Sequence, residues 1–216
     1  MKTNRTKGGR RFSLQWMTGT AMMIAVTLVL GSTPLGLIRT PILTATTLHI
    51  PVIIATLVLG VEAGILTGLV FGVQSLINNL TSASFFGPFF INPMVSVLPR
   101  ILFPVCVHMV SMCVSRLLGK RDRGCIIAYI ASSALGTVAH TVMVMGMIYL
   151  LNAQKIELML TSHAGVPQAL AQRGVGMGMV ALSITNGVPE MIVAAVIAPS
   201  IALALRKAFG RIHYRS

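Results

Sequence analysis

Six apolar stretches, with positive charge collected between and beyond them, constrain this chain more than any motif. A transmembrane helix needs about 20 predominantly apolar residues, fewer where a segment is short or re-entrant. Residues 13–31, 46–59, 62–79, 92–118, 125–151 and 175–205 meet that description. Only 10% of the 216 residues are charged, too few to clothe a soluble domain of this size. Lipid must therefore cover most of the surface, and the expected fold is an all-α membrane protein with six transmembrane helices.

Charge position sets the orientation. Most of the 17 Lys and Arg residues fall at three places: Lys2, Arg5, Lys7, Arg10 and Arg11 before the first stretch; Arg116, Lys120, Arg121 and Arg123 between the fourth and fifth; and Arg206, Lys207, Arg211 and Arg215 after the last. Basic residues beside membrane spans accumulate on the cytoplasmic side. Six crossings put all three clusters there, whereas five or seven would send the termini to opposite faces. The organisation predicted is a basic cytoplasmic amino terminus at 1–12, a six-helix domain at 13–205 and a basic cytoplasmic carboxyl terminus at 206–216. A net charge of +13 would otherwise raise nucleic acid as a partner, but basic clusters that flank spans suit anionic lipid headgroups. The basic start and residues 16–30 imitate a signal peptide, yet no small-residue cleavage site closes the run and further apolar segments follow, so it is expected to stay as the first span.

The outward-facing segments are then 32–45, 80–91 and 152–174, which are rich in Thr, Ser, Asn, Pro and Gly and carry loop composition. Phe85, Phe86, Phe89 and Phe90 mark the second as partly embedded or lid-like. Gly60 and Gly64 are expected to flank a tight inner turn between the second and third spans. No duplicated half is evident, so the inverted-repeat design of many secondary transporters has no support.

Absent motifs exclude several functions. The sequence contains no GxxxxGK[ST] phosphate loop, so the chain is not itself a transport ATPase of the familiar kind. It has no GxSxG and no HExxH, and its four acidic residues assemble neither a carboxylate hydrolase nor a proton relay. Cys106, Cys113 and Cys125 lack CxxC spacing, and the 14 Met residues suit adaptable packing. No metal or cofactor is expected on this chain.

Polar residues inside the apolar stretches are the candidates for a site. Arg100 lies in Asn92-Pro-Met-Val-Ser-Val-Leu-Pro-Arg100, where an arginine at bilayer depth costs about 2.5–3.5 kcal/mol and must face a cavity, a partner or the interface. Pro93, Pro99 and Pro104 break the hydrogen bonding of that helix, and broken backbone at membrane depth survives only against protein or a cavity. Two readings stand: the wall of a binding site, or an arginine snorkelling to the outer interface. Glu190, in Thr185-Asn-Gly-Val-Pro-Glu190, is the one carboxylate deep in a span; it serves either a site or a structural pair, with Arg100 as a possible partner. His49, His108 and His140 are single histidines in apolar surroundings, without metal spacing. Gln74, Asn78 and Asn79 give the third span a polar outer end, fit for capping or for hydroxyl and carboxylate recognition. Ala21 and Ala25 form a small-xxx-small pair on the first span, suited to close helix contact within the protein or with a partner.

Several of these stretches resemble the S components of energy-coupling factor (ECF) transporters. Those that carry the likeness are Leu48-His-Ile-Pro-Val-Ile-Ile54, Leu59-Gly-Val-Glu-Ala-Gly64, Phe71-Gly-Val-Gln-Ser-Leu76, Asn92-Pro-Met-Val-Ser-Val-Leu-Pro-Arg-Ile-Leu102, Thr137-Val-Ala-His-Thr-Val-Met-Val-Met-Gly146 and Asn186-Gly-Val-Pro-Glu190. The resemblance implies a six-helix subunit of a bacterial cell membrane that captures a vitamin or related micronutrient from outside. It implies partners, a membrane scaffold subunit and two cytoplasmic ATPases that use the ATP, and delivery of the ligand as the subunit topples in the membrane. It places Ala21 and Ala25 against the scaffold. Family ligand contacts come from outer loops and outer helix halves, so Asn79, Asn92, Arg100, His140 and Asn186 are nominated as substrate-binding, with Gln74, His49 and Glu190 as further candidates. The resemblance suggests the pantothenate-type subgroup, for whose anionic ligand Arg100 is suited; riboflavin, folate, thiamine precursors or another small metabolite stay open as ligands.

Two other classes compete. A stand-alone secondary transporter or channel for a small metabolite would show gradient-driven uptake by the chain alone. An intramembrane enzyme would need a catalytic constellation that the sequence does not contain.

Overall fold

The computed structural model describes residues 13–34, 36–39, 44–81, 87–118, 122–162 and 175–208. The basic segment 1–12, residues 209–216, Phe85, Phe86, Lys120, Arg121 and His163 lie outside the described residues. In chain order the elements are α1 (Leu14–Ser32), β1 (Leu37–Arg39), β2 (Thr44–Thr46), α2 (His49–Leu59), α3 (Val61–Thr81), α4 (Gly87–Phe90), α5 (Pro93–Ser96), α6 (Leu98–Leu118), α7 (Asp122–Ser162) and α8 (Val175–Ala208).

Among the described residues, five helical stretches are long and apolar enough to cross a membrane: Leu14–Ser32, Val61–Thr81, Pro93–Leu118, Gly124–Ile156 and Ser183–Lys207. The second expected span is different. Helix α2 has 11 residues, about 16 Å at 1.5 Å per residue, roughly half of a hydrocarbon core of about 30 Å. Just before it, in a segment whose composition predicts a plain loop, β1 and β2 pair antiparallel with Leu37 opposite Thr46 and Arg39 opposite Thr44. The β-branched threonines of Thr44-Ala-Thr46 favour that extended form. A second departure is α7, which bends at Asn152 (φ −139°, ψ 24°) and continues to Ser162, where the sequence predicts a loop from 152 onward.

Helix α2 is the core of the bundle. Nine of its 11 residues are buried, and it packs against α1, α3, α6, α7 and α8. Gly60 ends it with φ 104°, a left-handed conformation that only glycine adopts without strain. The turn expected at Gly60 is thus present, but Gly64, expected to flank it, lies inside α3. With Gly68 and Gly72 it forms a ridge of residues four apart on one helix face. A Cβ on Gly64 would strike Thr56 Oγ1, one on Gly68 would strike the Arg100 carbonyl, and one on Gly72 would stand 2.8 Å from Val97 Cα. The ridge therefore lets α6 lie backbone to backbone on α3, the contact that lipid-embedded helices favour where hydrophobic drive is lacking.

Two side chains close the Gly60 end. Trp16 Nε1 on α1 donates to the Leu59 carbonyl at 3.1 Å, and the Tyr129 hydroxyl on α7 donates to the Leu57 carbonyl at 3.3 Å. Arg206 on α8 donates to the Tyr129 oxygen at 3.2 Å. At the other end, the Asn78 side-chain amide on α3 donates to the Gly31 carbonyl at 2.9 Å, fixing α1 and α3 side by side. Phe71 and His140 each lie eleven residues from the Gly60 end, counted from Gly60 and Tyr129, which sets both about 16 Å deep in the bundle.

Candidate ligand-binding site

The peptide around Arg100 is built by its prolines. Asn92 caps the single turn of α5, its side chain accepting from Met94 N at 3.0 Å, and Pro93 opens that turn with a fixed φ. The turn stops at Val97, and α6 opens at Leu98 with Pro99 in its first turn, where proline is tolerated. Pro99 also has no N–H, so the Val95 carbonyl, four residues earlier, loses its helical donor. Arg100 Nη1 takes that place at 2.6 Å. Pro104 frees the carbonyl of Arg100 in the same way, and Gly68 of α3 packs against it. The sequence that breaks the helix thus supplies the acceptor that holds its arginine.

Arg100 does not snorkel. It is 3% exposed, its guanidinium carbon lies 5.4 Å from the Phe71 ring centre and 5.2 Å from that of Phe90, and both distances fall within cation–π range. The Ser96 hydroxyl donates to the Phe90 carbonyl, fastening α4 over α5. Arg100 Nε has no hydrogen-bond partner.

Phe71 also links the arginine to His140. The His140 ring lies 5.7 Å from Phe71 and 5.1 Å from Phe103, and it stacks on His49 at 6.2 Å with 16° between the planes. His49 is 1% and His140 4% exposed, and neither ring nitrogen of either residue has a hydrogen-bond partner. The Thr46 and Glu190 backbones lie beside His49, outside hydrogen-bond geometry.

The buried hydroxyls behave differently. Thr20, Thr27, Thr56, Thr67, Ser133 and Thr137 each donate to the carbonyl four residues back, at 2.7–2.8 Å. They satisfy themselves within their own helices and need nothing from a ligand. The five orphan nitrogens of Arg100, His49 and His140 cannot do so, and each costs about 1–3 kcal/mol while unpaired.

Glu190 is engaged rather than free. Its Oε1 accepts from Thr46 N at 2.6 Å, a short bond that ties β2 to α8. Arg100 and Glu190 attract each other without sharing a hydrogen bond. Of the remaining nominated residues, Asn92 serves as a cap, Asn79 donates to its own helix at Ser75 O over 2.7 Å, and Gln74 lies 3.5 Å from Asn78. Asn186 is half-buried one turn from Glu190 on the same face of α8. The structure therefore gathers Arg100, His140, His49 and Glu190 and leaves Gln74, Asn79 and Asn92 in local contacts nearer the hairpin end. Ala21 and Ala25 are exposed on α1, opposite the buried face of Trp16, Gly19, Thr20, Met23 and Thr27.

Of the three aromatic walls, Phe90 belongs to the segment that the sequence marks as embedded or lid-like, while Phe71 and Phe103 do not stand out in the sequence. Phe103 follows Arg100 by three residues and so shares its helix face, which is a usable signal; Phe71 and Phe90 reach the site only through tertiary packing. Among the described residues, no group of three or more His, Cys, Asp and Glu is placed to hold a metal ion.

Comparison with known proteins agrees with this architecture. The family model described as ECF transporter, substrate-specific component matches residues 15–202. Among curated proteins, none matches the chain.

Proposed function

The chain belongs to the substrate-specific components of ECF transporters, a transport and not an enzyme family, and on that premise we propose that it captures an anionic, pantothenate-like micronutrient at Arg100 for import. It is a multi-pass membrane protein, as its family and five long apolar helices require. The observation that carries the ligand reading is Arg100 itself: a buried guanidinium that, among the described residues, shares no hydrogen bond with a carboxylate and whose Nε is unpartnered. A charge held in this way is an acceptor site for a carboxylate, which would form charge-assisted bonds there.

The Gly60 end is assigned to the cytoplasm of a bacterial cell. Arg116, Arg206 and Lys207 in the last turns of α6 and α8 support this orientation. The hairpin and α2 then count together as one crossing, which gives six crossings and two cytoplasmic termini. The ligand enters past the hairpin and α4, and energy comes from ATP hydrolysed by two cytoplasmic subunits joined through a membrane scaffold. The exposed Ala21 and Ala25 are assigned to that scaffold, since small residues admit a close partner helix.

Vesicle reconstitution tests the proposal. Labelled pantothenate should accumulate only when scaffold and ATPases are present with ATP; gradient-driven accumulation by the purified chain would mark it as a secondary transporter. Ala21→Trp should leave pantothenate affinity intact while lowering ATP-dependent uptake roughly tenfold, and equal uptake by that variant would remove α1 from the docking surface.

A further inference from the structure

Arg100 accounts for one end of a ligand, and the unsatisfied imidazoles account for a chemically different part. His49 and His140 come from separate elements, the start of α2 and the middle of α7, and they stack with both rings buried and all four nitrogens unpartnered. A metal cation is a poor occupant, because the Arg100 charge and His140 both lie against the Phe71 ring and, among the described residues, no third ligating side chain joins the two imidazoles. An apolar occupant would leave the four nitrogens unpaired, at about 1–3 kcal/mol each. An uncharged imidazole offers one N–H donor and one acceptor, so two stacked rings present two of each. A matching group must both donate and accept hydrogen bonds, as hydroxyls and amides do and as carboxylates, phosphates and ammonium groups do not.

We propose that His49 and His140 together bind the hydroxyl or amide portion of the captured molecule, so that the ligand is a small hydroxylated acid read at one end by Arg100 and at the other by the histidine pair. This deepens the proposed function and rests on its placement of the carboxylate at Arg100. The aromatic walls fit the same ligand: Phe71 touches both polar stations and Phe103 lies against His140, giving the backbone of the acid apolar surroundings. The pair is then the specificity device of the site. A site built to hydrogen-bond a hydroxyl rejects the analogue that lacks it, because its own buried groups stay unpaired.

Three probes separate the two ends: pantothenate, its analogue without the two hydroxyl groups, and pantothenol, which replaces the carboxylate with an alcohol. Titrated into the purified full chain, wild type should prefer pantothenate over each analogue by roughly tenfold or more. His140→Phe should bind pantothenate and the hydroxyl-free acid within a few fold of each other while still rejecting pantothenol; Arg100→Gln should show the reverse pattern. His49→Phe provides the same ratio from the other ring should His140→Phe fold poorly. Wild type that does not distinguish hydroxylated from hydroxyl-free acid overturns the histidine inference alone, as does a folded His140→Phe or His49→Phe that keeps the full preference. Wild type that binds none of the three probes overturns it together with the pantothenate-like reading.

Discussion

The two buried polar regions of this bundle differ in whether the protein completes them. At the Gly60 end, the last carbonyls of α2 are met by Trp16 and Tyr129, and Tyr129 by Arg206; helix ends need such partners when water is excluded. About 16 Å away, Arg100, His49 and His140 are equally buried, yet five of their nitrogens meet nothing. Both regions draw on α2 and α7, so the difference lies within the same two helices. It separates groups that hold the fold from groups whose partner comes from elsewhere. A stable protein gives up free energy at a binding site and recovers it at closed ends, and this division tells which side chains serve which purpose.

Substitutions can break that division. The largest expected effect is at Gly68, where a side chain would strike the Arg100 carbonyl and wedge α6 from α3. Gly68→Val should lower stability by about 3 kcal/mol and abolish ligand binding together with it, since this contact serves both fold and site. Retained affinity in a destabilised Gly68→Val would show that the α3–α6 contact does not position Arg100. Next comes Trp16→Phe, which strips the donor from the Leu59 carbonyl. Thermal unfolding in detergent should show a loss of about 1–2 kcal/mol with ligand affinity unchanged; an affinity loss larger than the stability loss would mean that the closed end also shapes the site. Gly146→Ala sharpens the contrast from the other side. Nothing lies within 4 Å of a Cβ at that position, so the variant should gain up to about 1 kcal/mol in helix propensity with no change in binding.

Much of this was legible in the sequence, and what was not has a physical cause. Five of the six apolar stretches form helices long enough to span, because length and composition alone decide that in lipid. The Asn92–Arg100 motif is legible as a broken, buried stretch, since prolines and an arginine in one span have few structural resolutions. The shortness of α2 and the hairpin before it were hidden because a central helix and a short span carry the same apolar composition. The Gly60, Gly64, Gly68 and Gly72 spacing was a usable signal for the α3–α6 contact, while Gly64 was placed in the turn instead. Phe90 is legible as part of the embedded or lid-like segment 80–91, whereas Phe71 is hidden for a deeper reason: with lipid outside and protein inside both apolar, no amphipathic pattern records which face turns inward. Gln74, Asn79 and Asn92 were polar and correctly located in the chain, but local hydrogen bonds occupy them.

The most direct test is to measure ligand affinity and ligand-free melting side by side for wild type and Arg100→Met. If the arginine is kept for the ligand, the variant should bind pantothenate roughly 10–100-fold more weakly, while its ligand-free form stays folded and loses only about 1–3 kcal/mol, as expected when the Val95 carbonyl is left without its donor. Unchanged affinity, or a collapse of the ligand-free fold, would place Arg100 among the groups that hold the bundle together and contradict the account.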